Sequence, residues 1–117
     1  METIETIEKN TILIADDAEI NREMIKFIFD EQYSIIEAEN GEQAINIIAE
    51  YSDRLCLLFL DLLMPKKSGL DVLAFMNEED YINTIPVIMI TGEATDETDE
   101  KAYEYGASDI IYKPFAP

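Results

Sequence analysis

A chain of 117 residues, 48% of them hydrophobic, is long enough to bury one conventional core, so we expect a single domain. The balance of 8 basic and 26 acidic residues, a formal charge of −18, argues against direct nucleic-acid binding, because neutralising phosphates requires clustered lysine and arginine. The chain has no apolar run near the ~20 residues of a membrane span and no signal-peptide pattern, and its single cysteine, Cys56, cannot pair internally, so we expect a cytoplasmic protein without membrane contact.

Apolar runs and helix-period segments alternate along the chain, a pattern typical of an α/β fold with a parallel sheet. The first strand is predicted at TILIA, Thr11–Ala15, followed by the helix EINREMIKFIFDEQ. Four apolar residues of this helix recur at helical spacing: Ile20, Met24, Phe27 and Ile28. The second strand is predicted at YSIIEA and is closed by the turn pair Asn40-Gly41.

The second half of the chain continues the alternation. The helix GEQAINIIAEYS carries one apolar stripe: Ala44, Ile47, Ile48 and Tyr51. The third and most apolar strand, LCLLFL, ends on Asp61 and is followed by a loop from Pro65 to Gly69. A helix at LDVLAFMNEE, a strand at PVIMI, a polar helix at DETDEKAYEYG and a fifth strand at DIIY complete the predicted order.

Polar residues follow the carboxyl ends of four predicted strands: Asp16 and Asp17, Asp61, Thr91, and Lys113. Each has an ordinary explanation as a helix cap, a turn residue or a surface charge. In an open parallel sheet, however, the carboxyl ends of the strands border the crevice where ligands bind. The joint placement of these residues at one rim therefore indicates a functional site.

The three aspartates of this rim point to a cation. Like charges ~4 Å apart repel by roughly 4 kcal/mol at an effective dielectric constant of ~20, and a bound cation would offset that repulsion. The chain contains no histidine, and oxygen-only ligation favours a hard ion such as Mg²⁺. Lys113 would add a positive point charge, and Thr91 would supply a hydroxyl donor for an anion. Carboxylates, a lysine and a hydroxyl together fit phosphoryl chemistry.

Four motifs extend over nearly the whole chain: ILIADDAE, LLFLDLLMPKKSGLDVL, VIMITG and GASDIIYKPF. In content and order they resemble the receiver domains of two-component response regulators, of the CheY-like type. The resemblance implies a doubly wound, flavodoxin-like sheet of five parallel strands in the order 2-1-3-4-5. Residues 11–117 would form the receiver domain and residues 1–10 a short N-terminal extension.

The resemblance also implies roles for the rim residues. Asp61 would accept a phosphoryl group, Asp16 and Asp17 would bind Mg²⁺ together with Asp61 and the backbone carbonyl of Leu63, and Thr91 and Lys113 would contact the phosphoryl group. The domain would be a signalling domain that relays a conformational change, and not an enzyme. Because the chain has no histidine, the phosphohistidine donor must be a partner, a sensor histidine kinase or a histidine phosphotransfer protein.

Hydrolysis of the acyl phosphate would reset the domain, at a rate that Leu63 and Glu93 should influence by controlling the approach of water. In the family, an aromatic residue commonly stands three positions before the lysine, where this chain has Ile110. Tyr112 lies two positions further, on the same face of the strand. The switch region is therefore predicted at Ile110 and Tyr112, although an amphipathic residue near a strand end is the ordinary interpretation of Tyr112.

Two alternatives remain open at the level of sequence. A haloacid-dehalogenase-type phosphohydrolase would need a second carboxylate two residues after its nucleophile, and that position holds Leu63 after Asp61 and Ala18 after Asp16; Asp17 followed by Glu19 fits only loosely. A receiver-like scaffold that is never phosphorylated would not need the complete set of rim residues.

The sequence after Lys113-Pro114-Phe115 contains only Ala116 and Pro117, whereas the family continues into a final helix. We therefore expect the fifth helix to be missing. The sheet face that it would cover should then expose apolar residues, with five candidates: Ile12, Ile14, Leu58, Leu60 and Ile111. We therefore expect either a receiver cut from a longer chain or one that covers this face by self-association or swapping. The alternative is that the first helix shields most of the face. An output domain or an effector protein is a further expected partner.

Overall fold

The computed structural model describes residues 9–92 and 96–113, and strands and helices alternate there in the predicted order. The strands are β1 Thr11–Ala15, β2 Ser34–Ala38, β3 Leu55–Asp61, β4 Val87–Thr91 and β5 Asp109–Tyr112. The helices are α1 Glu19–Phe29, α2 Gly41–Tyr51, α3 Gly69–Glu78 and α4 Asp96–Glu104, with a 3-10 helix at Tyr81–Asn83. The expected absence of a fifth helix falls on residues after Lys113, which lie outside the described residues. Most of the predicted N-terminal extension also lies outside them.

All five strands are parallel and lie in the order β2-β1-β3-β4-β5, which confirms the predicted doubly wound sheet. The chain reverses its winding direction after β2, so β1 and β3 are neighbours at the centre of the sheet. We call the edge formed by the carboxyl ends of β1, β3, β4 and β5 the carboxyl rim. The ligand crevice of such sheets lies at this edge, where the strand order reverses.

One face of the sheet carries the main core, packed beneath α2, α3 and α4. Alternate residues of each strand point into it because side chains along a strand alternate between the two faces. Its fully buried members include Leu13, Ile48, Leu58, Leu60, Leu73 and Met76. The predicted stripe of α2 is confirmed, since Ala44 and Ile48 are buried and Ile47 and Tyr51 pack at its margin.

The opposite face is smaller and is covered by α1. Its buried residues are Ile12, Ile14, Ile25, Phe59 and Ile90. The prediction that Leu58 and Leu60 belong here is wrong. Ile12 pairs with Leu57 and Ile14 with Phe59, and Leu58 and Leu60, which alternate with these residues along β3, point into the main core. The expected exposure of Ile12 and Ile14 is also wrong, as both are buried under α1.

Ile111 is the one residue of the predicted exposed set that is well exposed, at 37%. It borders an apolar groove of about 310 Å³, which Ile28, Phe59 and Ile88 also line. The expectation of apolar surface on this face therefore holds for the groove alone. No helix in the described part of the chain combines the length and the apolar character needed to cross a membrane.

The side of α1 that faces the sheet is not the side that carries the predicted apolar stripe. Ile20 and Phe27 are 68% and 77% exposed, Ile28 is 46% exposed, and the side that faces the sheet carries Arg22 and Ile25. The prediction assumed that the apolar side of an amphipathic helix faces the core. Here a buried arginine with several polar partners lies on the inner side, Ile20 and Phe27 lie on the outer side, and Ile28 borders the groove.

Candidate functional site at the carboxyl rim

Three aspartates converge at the carboxyl rim. Asp61 is the last residue of β3, Asp16 directly follows β1, and Asp17 comes next in the chain. Asp16 and Asp61 are buried, with 0% and 3% exposure, whereas Asp17 is exposed. One carboxylate oxygen from each lies within 4.8 Å of the others, a geometry that can hold a metal ion. The structure thus brings together the three carboxylates that the sequence predicted.

Lys113 links the two buried carboxylates. Its Nζ lies 3.2 Å from Asp16 Oδ2 and 3.2 Å from Asp61 Oδ1. The Lys113 backbone N–H donates to the carbonyl of Thr91 at 2.7 Å, which ties the end of β5 to the end of β4. Burial by itself lowers the pKa of the Lys113 ammonium, but the attraction of Asp61 and Asp16 outweighs it and the pKa is raised. Lys113 is therefore a protonated bridge between two anions.

The carboxyl of Asp61 is destabilised in its charged form. Burial is the main cause, and repulsion from Asp16 and Asp17 adds to it, so that the pKa of Asp61 rises from 3.8 to about 6 although Lys113 opposes the shift. A second positive charge near Asp61 would favour the ionised form further. The electrostatics of the rim therefore favour binding of a cation.

Asp16 is anchored through only one of its two carboxylate oxygens. Its Oδ1 accepts hydrogen bonds from the Ala18 backbone N–H at 2.8 Å and from Asn21 Nδ2 at 3.4 Å. Its Oδ2 is buried and accepts no hydrogen bond from the residues described, so that its partner there is the ion pair with Lys113. A buried oxygen of this kind, beside two other carboxylates, fits a hard cation that prefers oxygen ligands.

The other predicted site residues also lie at or next to the rim. Thr91 ends β4 and is buried, at 3% exposure. Leu63 follows β3 by two residues, and its side chain is 65% exposed. Glu93 lies outside the described residues.

The predicted switch residues, Ile110 and Tyr112, have different surroundings. Ile110 is half-buried and packs against the main core. Tyr112 is 45% exposed, and its hydroxyl donates a hydrogen bond to Asp99 Oδ2 on α4. Tyr112 therefore connects β5 to α4, a contact that strand periodicity gave no means of predicting.

The segment after Asp61 is packed more tightly than its prediction as a simple loop suggested. Gly69 lies so close to β3 that a Cβ atom there would be 2.4 Å from the Asp61 carbonyl oxygen. Its N–H donates to the Leu62 carbonyl at 2.8 Å. A Cβ on Gly41 would likewise be 2.1 Å from the Lys67 carbonyl oxygen. Both glycines are needed for close approach, and each begins a helix that borders the rim.

Sequence reasoning missed Arg22. This residue is 7% exposed, and its Nη1 donates to the Asp16 backbone carbonyl at 2.8 Å. An arginine in an otherwise amphipathic helix gives little signal, because most such arginines lie on the solvent side. The polar residues Glu37 and Glu39 at the end of the second strand were the available hint of a partner.

Comparison with known proteins agrees with this geometry. The family model for the response regulator receiver domain matches residues 12–117. The chain is 33% identical over 112 residues to a probable cyclic di-GMP phosphodiesterase of Vibrio cholerae, covering 96% of this chain and 25% of that protein. It is 34% identical over 115 residues to the transcriptional regulatory protein ResD of Bacillus subtilis, covering 97% and 45%. The chain thus spans between a quarter and about half of these relatives.

Among solved structures, the signal receiver domain of a putative Luxo repressor protein from Vibrio parahaemolyticus superposes with a TM-score of 0.81 at 30% identity, covering 92% of this chain and 80% of that one. The chain belongs to the response regulator receiver domain family. It is a phosphoacceptor signalling domain of the two-component type, and the phosphohydrolase and the unphosphorylated scaffold are not favoured.

Proposed function

We propose that Asp61 is the phosphoacceptor and that it takes its phosphoryl group from a phosphohistidine of a sensor histidine kinase or a histidine phosphotransfer protein. The observation that carries this proposal is the Lys113 bridge: one ammonium lies 3.2 Å from oxygens of two buried carboxylates, with exposed Asp17 beside them. A buried, partly neutralised carboxylate next to an open acidic position suits attack on an incoming phosphoryl group.

In the proposed step, an Asp61 carboxylate oxygen attacks phosphorus, a P–O bond forms and the P–N bond to the donor imidazole breaks. The imidazole keeps the electron pair of that bond and leaves as the neutral ring after taking up a proton. Attack requires ionised Asp61, and its pKa of about 6 leaves the carboxylate mostly ionised near neutral pH. The contribution of this chain is mainly positioning and charge, as is usual for phosphoryl transfer.

We assign the metal ligands to Asp16, Asp17, Asp61 and the Leu63 backbone carbonyl, and the metal to Mg²⁺. Mg²⁺ supplies positive charge against the phosphoryl oxygens when it is bound. Asp16 Oδ2 is the strongest support for this assignment. It is buried, it accepts no hydrogen bond from the described residues, its partner among them is the Lys113 ion pair, and it belongs to a residue of the acidic cluster.

After transfer, we propose that Lys113 pairs with the phosphoryl group and that the Thr91 hydroxyl donates to it. A change at Lys113 would reach Ile110 and Tyr112 on β5, which directly precedes it, and through the Tyr112 hydrogen bond it would reach Asp99 on α4. This is the switch region we propose. Leu63, exposed at the entrance, and Glu93 would control the approach of water in the hydrolysis that resets the domain.

The remaining assignments concern the wider protein. We propose that residues 11–117 are the receiver domain, that residues 1–10 are a short extension, and that an output domain, an effector protein or self-association carries the signal onward. The named relatives, which are longer, support an arrangement of this kind. The charge of −18 supports a domain that does not itself bind nucleic acid, and one unpaired cysteine suits the cytoplasm.

The test is to incubate the protein with Mg²⁺ and acetyl phosphate and to measure its intact mass. We expect one added phosphoryl group in the wild type, none in Asp61→Asn, and an unchanged result in the control variant Asp53→Asn, which alters an exposed aspartate away from the rim. An adduct on Asp61→Asn at the wild-type rate would overturn the assignment of the acceptor. Repeated turnover without an adduct would point to the hydrolase, and no reaction at all to the scaffold.

A further inference from the structure

Arg22 is a buried cation for which the function described so far has no role. Its guanidinium occupies the inner side of α1, where burial of a charge is costly unless hydrogen bonds and counter-charges offset it. Nη1 donates to the Asp16 carbonyl at 2.8 Å, Nε donates to Glu37 Oε1 at 3.1 Å, and Nη2 lies 4.0 Å from Glu39 Oε1. Arg22 therefore joins the end of β1 to the end of β2.

These contacts complete the anchoring of Asp16. The Asp16 backbone N–H donates to the Ala38 carbonyl at 3.1 Å, its backbone carbonyl accepts from Arg22, and its Oδ1 accepts from the Ala18 N–H. Three polar groups of the residue are thus held by the protein. The fourth, Oδ2, is left facing Lys113 inside the acidic cluster.

We propose that Arg22 is a positioning residue for the metal site: it holds the Asp16 main chain so that Oδ2 stays aimed into the cluster, and Glu37 holds Arg22 in turn. This inference rests on the proposed Mg²⁺ site. Groups that orient a metal ligand without touching the metal commonly affect affinity by about 10- to 100-fold when they are removed.

Arginine suits this position better than lysine. Its planar guanidinium presents several donors in a fixed arrangement, so that it simultaneously contacts the carbonyl of the residue after β1 and a carboxylate on β2. A lysine ammonium would keep the charge without that rigid arrangement. Arg22→Lys therefore separates the effect of positive charge from the effect of position.

The experiment is a titration of the full chain with Mg²⁺ at constant ionic strength, following the melting temperature to obtain an apparent Mg²⁺ affinity. We expect Arg22→Gln and Arg22→Lys to weaken that affinity about tenfold, and Glu37→Gln to weaken it less. Two controls should leave it unchanged: Asp53→Asn, which removes one negative charge from an exposed aspartate away from the rim, and Ile48→Val, which lowers stability in the main core.

A purely structural role predicts another result. Arg22→Gln would then lower the melting temperature without Mg²⁺ but leave the apparent affinity at the wild-type value, and this result would overturn the proposal. An affinity retained by Arg22→Lys would overturn the positional role in favour of charge alone. In the double variant Arg22→Gln/Glu37→Gln we expect no further loss beyond Arg22→Gln, since Glu37 acts through Arg22, and additive losses would contradict this.

Other results are expected if the proposed Mg²⁺ site itself is wrong. If the melting temperature of the wild type does not respond to Mg²⁺, the assignment of Asp16 as a metal ligand is wrong. The proposed role of Arg22 then fails with it. Phosphorylation of Asp61 in a buffer with chelator would show that the metal assignment, and not the acceptor, is at fault. If Arg22→Gln does not fold, Arg22→Lys and Glu37→Gln carry the test.

Discussion

The carboxyl rim and the main core are built from the same strands but have opposite electrostatic character. Before their ends, β1, β3 and β4 direct alternate apolar side chains, all of them buried, into the main core. At their ends the same strands place Asp16, Asp61 and Thr91, all of them buried, beside one lysine. The core stabilises the fold through apolar burial, whereas the rim keeps like charges close together at a cost in stability. Stability and reactivity are thus separated along each strand.

The largest expected effect is in the core. Leu58 is fully buried in the middle of β3, three residues before Asp61. Leu58→Ala should lower the free energy of unfolding by about 3 kcal/mol, because it loses buried apolar surface and leaves a cavity. Urea denaturation measures this loss. The apparent Mg²⁺ affinity of the folded variant should stay at the wild-type value; a large change would show that core and rim are not separable.

A substitution at the rim should raise the free energy of unfolding, whereas the core substitution lowers it. Asp61→Asn removes a charge that burial and the neighbouring aspartates destabilise, as the raised pKa of about 6 shows. We expect the metal-free variant to be more stable than the wild type at pH 7, by on the order of 2 kcal/mol after allowance for solvent at the rim. Denaturation in the presence of a chelator measures this gain. Asp53→Asn is the control, and a destabilised Asp61→Asn would mean that the Lys113 ion pair outweighs the repulsion.

The stability difference between metal-free Asp61→Asn and the wild type should depend on pH, and the sign of this dependence follows from the pKa of Asp61. The folded state binds the Asp61 proton more tightly than the unfolded state, because the pKa is raised from 3.8 to about 6. The stabilisation from this proton is complete below about pH 4 and is lost as pH rises through 6. The stability advantage of metal-free Asp61→Asn should therefore be near zero at pH 4 and grow between pH 4 and 7. An advantage that does not vary with pH would contradict the assigned cause.

Much of this architecture was predictable from local pattern. Continuous apolar runs identified β3 and β4, and the stripe of Ala44 and Ile48 identified the inner side of α2, because burial of these segments is decided by their own residues. The rim followed from topology: in a parallel sheet, residues just after the strands share one edge. That rule alone predicts that Asp16, Asp61 and Lys113 lie at the same edge.

What escaped prediction depends on contacts between distant segments. The inner side of α1 is set by Arg22 and its partners on β1 and β2, which helical periodicity does not encode. The faces of Leu58 and Leu60 depend on the register between β1 and β3, which shifts after Thr11. A slip of one residue exchanges the two faces of a strand, so the sheet face could not be assigned from composition alone.

The smallest expected effect tests which region the start of α3 belongs to. Ser68 Oγ accepts from the Asp71 N–H at 3.2 Å and Asp71 Oδ2 accepts from the Ser68 N–H at 2.9 Å, a complete capping box. Ser68→Ala should lower the free energy of unfolding by about 1 kcal/mol, and Ser68→Thr should retain most of it. Gly69 lies against the Asp61 carbonyl and donates its N–H to the Leu62 carbonyl, so a loosened cap has a route to Asp61. We nevertheless expect an unchanged rate of phosphorylation by acetyl phosphate, since β4 pairs with β3 up to Asp61 and the Leu62 N–H donates to the Ile90 carbonyl at 2.9 Å. A slower rate in Ser68→Ala that Ser68→Thr restores would show instead that the capping box helps to position Asp61 and belongs to the rim.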